Sequence, residues 1–151
     1  MIHQEDEKRK YTGMTNYLMI TLPEKPKAKQ RSRKGGDHWY NPQSEEMKKD
    51  KILVRNQLSD NFKIIGKGIP VVVNVTWFFI PTAAEQTKKF IALIKNEICP
   101  YTKKPDRDNL DKYILDVLSG IIFHDDNQVY DGRLLKLYTL NNPRMEVEIE
   151  W

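Results

Sequence analysis

Residues 69–80 read IPVVVNVTWFFI and form the most strand-like segment of the chain. β-Branched and aromatic side chains dominate it, and such side chains favour a pleated sheet. The apolar residues are nearly continuous instead of alternating, which is typical of a strand buried on much of both faces. We therefore predict a central strand over 69–80, ended by Pro81.

The pattern on either side of this strand predicts a single α+β domain, with a mixed sheet of about four strands packed with helices. The last segment, RMEVEIEW, alternates apolar and polar side chains strictly. Asn41 precedes Pro42 as a candidate helix cap. Residues 24–41 show no apolar periodicity and are interpreted as a long loop. Strands are expected at 16–22, 69–80, 129–140 and 144–151, and helices at 42–58, 83–98 and 106–120.

Composition limits the class of protein. The chain has 151 residues, 39% hydrophobic and 30% charged, which suffices for one modest core. Residues 1–15 are polar and mix both charge signs, so we interpret them as a mobile tail before a domain of residues 16–151. No apolar run is long enough to cross a membrane, and the N-terminus lacks the apolar region of a secretory signal. We expect a cytoplasmic protein without membrane contact.

Residues 104–129, KPDRDNLDKYILDVLSGIIFHDDNQV, carry the chemistry. Pro105 favours a helix that begins just after it. Asp108, Lys112 and Asp116 fall on one side of this helix, opposite a core-facing stripe. The stripe consists of Leu110, Tyr113, Ile114, Val117, Leu118 and Ile121.

Two acidic pairs, Asp106 with Asp108 and Asp125 with Asp126, flank this helix. The connection after Gly120 is able to return the second pair towards the first. Gathered carboxylates repel one another and require a compensating cation. A single cysteine and three scattered histidines argue against zinc, so oxygen ligands point to Mg²⁺, with Mn²⁺ as the alternative. The structural alternatives are a helix cap, a polar turn and ordinary surface pairs with Lys112.

These residues resemble the signature of the RusA family of Holliday junction resolvases, which are phage-type endodeoxyribonucleases. That signature is similar to K-P-D-x-D-N-L-x-K followed by D-x-L and D-D-x-Q-V. Here it stands as residues 104–112, 116–118 and 125–129. The likeness extends loosely from about Asn16 to the C-terminus, with Lys136 matching a family lysine.

The resemblance implies a role for each matching residue. Asp106, Asp108 and Asp126 correspond to the metal-binding catalytic carboxylates, and Asp125 to a supporting ligand. Lys112 corresponds to a catalytic lysine near the scissile phosphate. The resemblance also implies a homodimer that cuts four-way DNA junctions symmetrically with Mg²⁺.

A basic segment precedes this region. No acidic residue interrupts residues 25–36, and the net charge of the chain is +4. In an extended chain, alternate cations point the same way at roughly 6.6–6.8 Å, a spacing comparable to that of successive phosphates. Trp39 and Tyr40 are candidates for stacking on exposed bases. The alternative is a solvated charged loop. The predicted DNA contacts are Lys27, Lys29, Arg31, Arg33, Lys34 and Tyr40. The five cations belong to a run that also contains Lys25.

The sequence thus predicts a Mg²⁺-dependent, structure-selective endodeoxyribonuclease that resolves four-way junctions by paired nicks in DNA recombination and repair. A non-catalytic protein that binds branched DNA is the alternative from another class. A general nuclease is a third possibility, and it would degrade linear duplex as fast as junctions.

Overall fold

The computed structural model describes residues 13–151 and confirms the α+β class and the central strand. The central strand spans Val71–Phe79, and its burial on both faces follows from its apolar content. Side chains at odd positions, such as Val73 and Trp77, enter the main core, while Val72 and Phe78 are buried on the opposite face.

Five strands form the main sheet, one more than the sequence predicts. The central strand lies between an antiparallel neighbour on one side and two short parallel strands on the other. The strands of the described chain are β1 Tyr17–Pro23, β2 Arg33–Gly35, β3 His38–Tyr40, β4 Val71–Phe79, β5 Val129–Asp131, β6 Leu134–Tyr138 and β7 Arg144–Glu150. The order in the main sheet is β1-β7-β4-β5, with β6 also paired to β4.

The single strand predicted over 129–140 is wrong, because Gly132 divides it into β5 and β6. The pairing of β5 with β4 shifts register between Val71 and Val72. The side chain of Asn74 accepts a hydrogen bond from the backbone N–H of Arg133 at 2.8 Å and so bridges the interruption. Periodicity alone does not reveal such a break, since apolar residues continue on both sides.

Two helices, α1 Ser44–Asn56 and α3 Arg107–Leu118, pack on the core face of the sheet. The remaining helix within residues 13–151, α2 Lys88–Ile94, contributes no residue to that core cluster. The helix predicted over 106–120 is confirmed, and its apolar stripe is buried. The predicted helix start at Pro42 is two residues early. Gln43 occupies the N-cap, and Asn41 accepts a hydrogen bond from the Gln43 backbone N–H at 2.9 Å.

The long helix predicted over 83–98 is also wrong. A 3₁₀ turn spans Ala83–Glu85. The helix α2 begins after it, and the side chain of Thr87 caps α2 by accepting a hydrogen bond from the backbone N–H of Phe90. Glu97 adopts a positive φ of 56° after α2. Ile98 therefore lies outside the helix and is 73% exposed, although its spacing fits an apolar face. The caps override the periodicity.

The loop interpreted over 24–41 contains a two-stranded hairpin made of β2 and β3. Every residue from 31 to 40 is exposed, so no pattern of burial marks these strands in the sequence. The hairpin is separate from the main sheet.

The first and last parts of the described chain meet at the edge of the main sheet. The backbone N–H groups of Thr15 and Asn16 donate to the carbonyl of Trp151, and Met14 is buried. The rest of the predicted mobile tail, residues 1–12, lies outside the described residues. No helix within residues 13–151 has both the length and the apolar character needed to cross a bilayer.

Candidate active site and nucleic-acid interface

Asp106 and Asp108 stand exposed at the start of α3. Asp106 occupies the N-cap, but its side chain makes no capping hydrogen bond. Its carboxylate is therefore not used by the helix that it begins, in contrast to the capping role considered for it. Asp108 lies in the first turn, is 67% exposed and faces the Nζ of Lys112 at 3.4 Å. An exposed ion pair of this kind adds little stability, roughly 0.3–0.5 kcal/mol, so both groups are accessible to a ligand.

Lys136 fixes the segment that leads into α3. Its Nζ donates to the backbone carbonyls of Lys103 at 2.5 Å and Pro105 at 2.6 Å. The same ammonium lies 5.3 Å from the centre of the Tyr101 ring. Burial lowers the pKa of Lys136, and the negative charge of Asp106 opposes this change. Lys136 thus ties β6 to the residue that precedes Asp106.

The second acidic pair lies on a short loop held by one buried amide. The side-chain oxygen of Gln128 accepts from the backbone N–H groups of His124 at 2.9 Å and Asp125 at 3.2 Å. Its side-chain nitrogen donates to the carbonyls of Gly66 and Ile69. All four hydrogen-bonding positions of the amide are therefore occupied. Gln128 anchors the acidic loop to the segment before β4, a role its position in the motif does not reveal.

Asp125 and Asp126 titrate as a pair. The backbone N–H of Asn127, together with a hydrogen bond from Asp126, lowers the pKa of Asp125. The hydrogen bond to Asp125 raises the pKa of Asp126, as do partial burial and the negative charges of Asp125 and Asp116. The pKa values of the two carboxyl groups thus shift in opposite directions, as expected when like charges lie in contact.

The acidic loop lies beside the later turns of α3 as well. Burial raises the pKa of Asp111, the positive charge of Arg107 opposes the rise, and the negative charge of Asp126 adds to it. Asp126 is therefore within electrostatic range of Asp111 and Asp116. Asp111 is not among the site residues predicted from the sequence. Its position four residues after Arg107 places these two side chains on the same side of α3.

All these donors are carboxylates, the oxygen ligands that Mg²⁺ and Mn²⁺ prefer. Their chemistry fits a hard divalent ion. Their spacing is wider than a closed site requires, since within residues 13–151 no three His, Cys, Asp or Glu side chains are gathered closely enough to hold a metal.

Two of the predicted DNA-binding lysines make ion pairs within the fold. Lys27 bonds both carboxylate oxygens of the buried Asp50, at 3.1 and 3.0 Å, and Tyr113 donates to the same carboxylate at 2.6 Å. The Nζ of Lys29 lies 2.5 Å from Asp116, and its backbone N–H donates to the carbonyl of Asn109. The basic segment is therefore fastened to α1 and α3 along one side.

The other predicted contacts are free of such pairing. Arg31, Arg33, Lys34 and Tyr40 are exposed. Among residues 13–151, none of the three cations lies within ion-pair distance of a carboxylate. Because the anchored lysines point inward, the exposed cations lie on and before the hairpin instead of forming one continuous strip.

Comparison with known proteins identifies the family of the chain. A family model described as endodeoxyribonuclease RusA matches residues 22–150. The uncharacterized protein YqaN of Bacillus subtilis (strain 168) is 33% identical over 119 residues, which cover 78% of this chain and 81% of that protein. The match takes in β4, α3, the acidic loop and the basic segment, and it confirms the resemblance found in the motif. The chain therefore belongs to the RusA endodeoxyribonuclease family.

Proposed function

We propose that this protein is a Mg²⁺-dependent, structure-selective endodeoxyribonuclease that resolves four-way DNA junctions by paired symmetric nicks. The observation that carries the proposal is the match of the RusA family model to nearly the whole domain, with the motif carboxylates Asp106 and Asp108 exposed at the start of α3. The side chain of a structural cap would accept a hydrogen bond from the helix, and the Asp106 carboxylate accepts none.

Asp106, Asp108 and Asp126 would hold the divalent ion, Mg²⁺ or Mn²⁺, with Asp125 in support. When bound, such an ion polarises the phosphodiester and lowers the pKa of a bound water. Since three donors are not gathered in the described residues, the proposal requires the acidic loop to approach the start of α3 on metal binding. A hydrogen bond to Asp125, partial burial and the negative charges of Asp125 and Asp116 raise the pKa of Asp126, and a bound cation would offset the repulsion among these groups.

The remaining residues bind and orient the DNA. Lys112, next to Asp108 on the exposed face of α3, would neutralise charge on the reacting phosphate. Arg31, Arg33, Lys34 and Tyr40 would hold the junction arms. Lys27 and Lys29 would join them only after leaving their carboxylate partners. Two opposed strands are cut symmetrically only if two sites are related by a two-fold axis, so we propose a homodimer as the active form.

The test is cleavage of a synthetic four-way junction and a matched linear duplex in Mg²⁺, Ca²⁺ or EDTA. The native protein should nick the junction symmetrically, in Mg²⁺ alone, and spare the duplex. Asp108→Asn should reduce nicking by well over about a hundredfold, since even supporting residues around a metal are worth roughly 10–100-fold. Junction binding should survive in this variant.

The matched control is Asp60→Asn, which removes an exposed carboxylate in the loop after α1. It should leave both nicking and binding unchanged. Loss of junction binding in Asp108→Asn, with residual nicking unchanged, would contradict the assignment of Asp108 to the metal site.

A second candidate is a branched-DNA-binding protein without catalysis. The wide spacing of the carboxylates within residues 13–151 favours it. It predicts tight junction binding with no nicking in Mg²⁺ or Mn²⁺ at any protein concentration. The same assay therefore separates the two candidates. A general nuclease would instead cut duplex and junction at equal rates.

A further inference from the structure

The hairpin formed by β2 and β3 presents aromatic rings to solvent. Trp39 is 70% exposed and Tyr40 is 49% exposed. Within residues 13–151, the side chain of Trp39 makes neither a hydrogen bond nor a ring contact, and only its backbone pairs with Lys34. A large aromatic side chain kept in water without a partner is a common feature of binding surfaces.

Each face of the hairpin pairs one cation with one aromatic ring. Arg33 lies opposite Tyr40, and Lys34 lies opposite Trp39. Cross-strand partners share a face, and successive residues alternate between faces. The two faces differ in exposure, because the Tyr40 ring lies where a Cβ on Gly35 would come within 3.2 Å of it, whereas Trp39 is the more exposed of the two rings.

The root of the hairpin is rigidly attached near the proposed active site. The buried side chain of Gln43 accepts from the backbone N–H of Gln30 at 2.7 Å and donates to the carbonyl of Ala28 at 2.7 Å. Lys29 binds Asn109 and Asp116 of α3. Because Asn109 is adjacent to Asp108, the segment that leads into the hairpin is attached to the helix that carries the exposed carboxylates.

The charge of the hairpin selects a polyanionic occupant. Residues 25–36 contain no acidic side chain, and Asp37 in the turn is the one acid within 33–40. Phosphates satisfy the cations, and the π-face of a base satisfies the ring. In continuous duplex every base is already stacked on its neighbours, and separating them costs free energy. At a branch point the stack is already interrupted, so a ring gains a contact there without that cost.

We propose that the hairpin Arg33–Tyr40 distinguishes branched from linear DNA, with Trp39 stacking on a base at the branch point while Arg33 and Lys34 hold the flanking phosphates. The inference rests on the proposed function because it takes branched DNA as the substrate. It further identifies Trp39 as the residue that provides the selectivity for branched over linear DNA. Trp39 is then a specificity residue, and the cations contribute affinity without selectivity.

The experiment measures binding of the full chain to a four-way junction and to a matched duplex in Ca²⁺. Trp39→Ala should weaken junction binding roughly tenfold and duplex binding less than about twofold, because one base–aromatic stack is lost. Trp39→Phe should retain most of the preference. Lys34→Ala should weaken both complexes by a similar factor and reduce the salt slope by about 0.9.

The control is Tyr17→Ala, which removes an aromatic ring that is 59% exposed on β1. It should change neither affinity. A 2-aminopurine placed at the crossover should lose fluorescence on binding the native protein and keep it with Trp39→Ala. Equal weakening of both complexes by Trp39→Ala, no effect on either, or unchanged 2-aminopurine quenching would overturn the proposal.

This test is independent of catalysis. A protein that selects junctions through Trp39 but never nicks them in Mg²⁺ would refute the proposed nuclease activity and leave the selectivity role intact. A protein that nicks junctions with equal selectivity after Trp39→Ala would do the reverse.

Discussion

At the scale of single residues, the close approach of Gly132 to the backbone of Val73 determines where the strand predicted over 129–140 is interrupted. A Cβ on Gly132 would lie 1.8 Å from the carbonyl oxygen of Val73 and 2.7 Å from its carbonyl carbon. No side-chain rotation relieves a clash with backbone, so only glycine fits at position 132, directly after β5. The division of the predicted 129–140 strand therefore follows from one residue.

Gly132→Ala should lower the free energy of unfolding by about 1–3 kcal/mol or more, as overpacking against a fixed neighbour does. Thermal or urea unfolding measures this. The control is Gly68→Ala, where φ is +78° and nothing lies within 4 Å of a new Cβ. That change carries only a backbone cost of roughly 1–2 kcal/mol. A smaller loss for Gly132→Ala than for Gly68→Ala would refute the steric explanation.

At the scale of elements, the sequence predicts those parts whose side chains meet within a short stretch of chain. The apolar stripe of α3, from Leu110 to Leu118, can be predicted from the sequence because helical spacing alone defines it. The hairpin cannot be predicted in this way, because all its residues are exposed. The break before α2 depends on the Thr87 cap, which competes with an apolar period. The electrostatic effect of Asp126 on Asp111 depends on how the chain returns after Gly120, which spacing leaves open.

The acidic loop shows the same limit. Gln128 is visible in the motif, but its partners Gly66 and Ile69 lie about sixty positions earlier, so only the folded chain reveals its role. Gln128→Ala should loosen the loop and reduce junction nicking by roughly 10–100-fold, the range found for supporting residues around metal sites. Junction affinity should stay nearly constant. Single-turnover cleavage and hydrogen exchange at residues 124–127 measure the two effects.

Gln57 offers a matched control for this change. Its side-chain amide likewise bonds a backbone N–H and a carbonyl, those of Thr21 at 2.9 and 2.8 Å, but on β1. Gln57→Ala should cost comparable stability, about 1–3 kcal/mol, and leave nicking intact. Equal loss of nicking in both variants would show that Gln128 acts through general stability instead of loop position.

At the scale of the whole molecule, charge is divided between the surfaces. The outward face of β7 carries Glu146, Glu148 and Glu150 in the sheet, while the hairpin carries exposed cations. A net charge of +4 understates this asymmetry. DNA is therefore expected at the exposed cations of the hairpin and not at the β7 glutamates, which repel phosphate.

A polar cluster joins three separate parts of the chain and links stability to pH. Glu85 follows β4, Lys103 lies before α3, and Tyr138 ends β6. Lys103 forms an ion pair with Glu85, and Tyr138 donates to Glu85 at 2.9 Å. The Lys103 ammonium and the backbone N–H of Thr82 lower the pKa of Glu85 from 4.5 to about 2, with a further contribution from Tyr138.

Because the pKa of Glu85 in the folded state lies below its value in the unfolded chain, its contribution to stability is complete above about pH 4.5 and is lost as the pH falls towards 2. Glu85→Gln should therefore lower the free energy of unfolding at pH 7 and flatten its decline between pH 4.5 and 2. Urea unfolding at a series of pH values measures this. Glu45→Gln, which removes a carboxylate that is 78% exposed on α1, should leave the slope nearly unchanged. An acid limb as steep in Glu85→Gln as in the native protein would mean that this cluster does not couple the connector before α3 to the sheet, and that the segment leading to Asp106 is held to β6 by the Lys136 side chain and the backbone hydrogen bond of Tyr101.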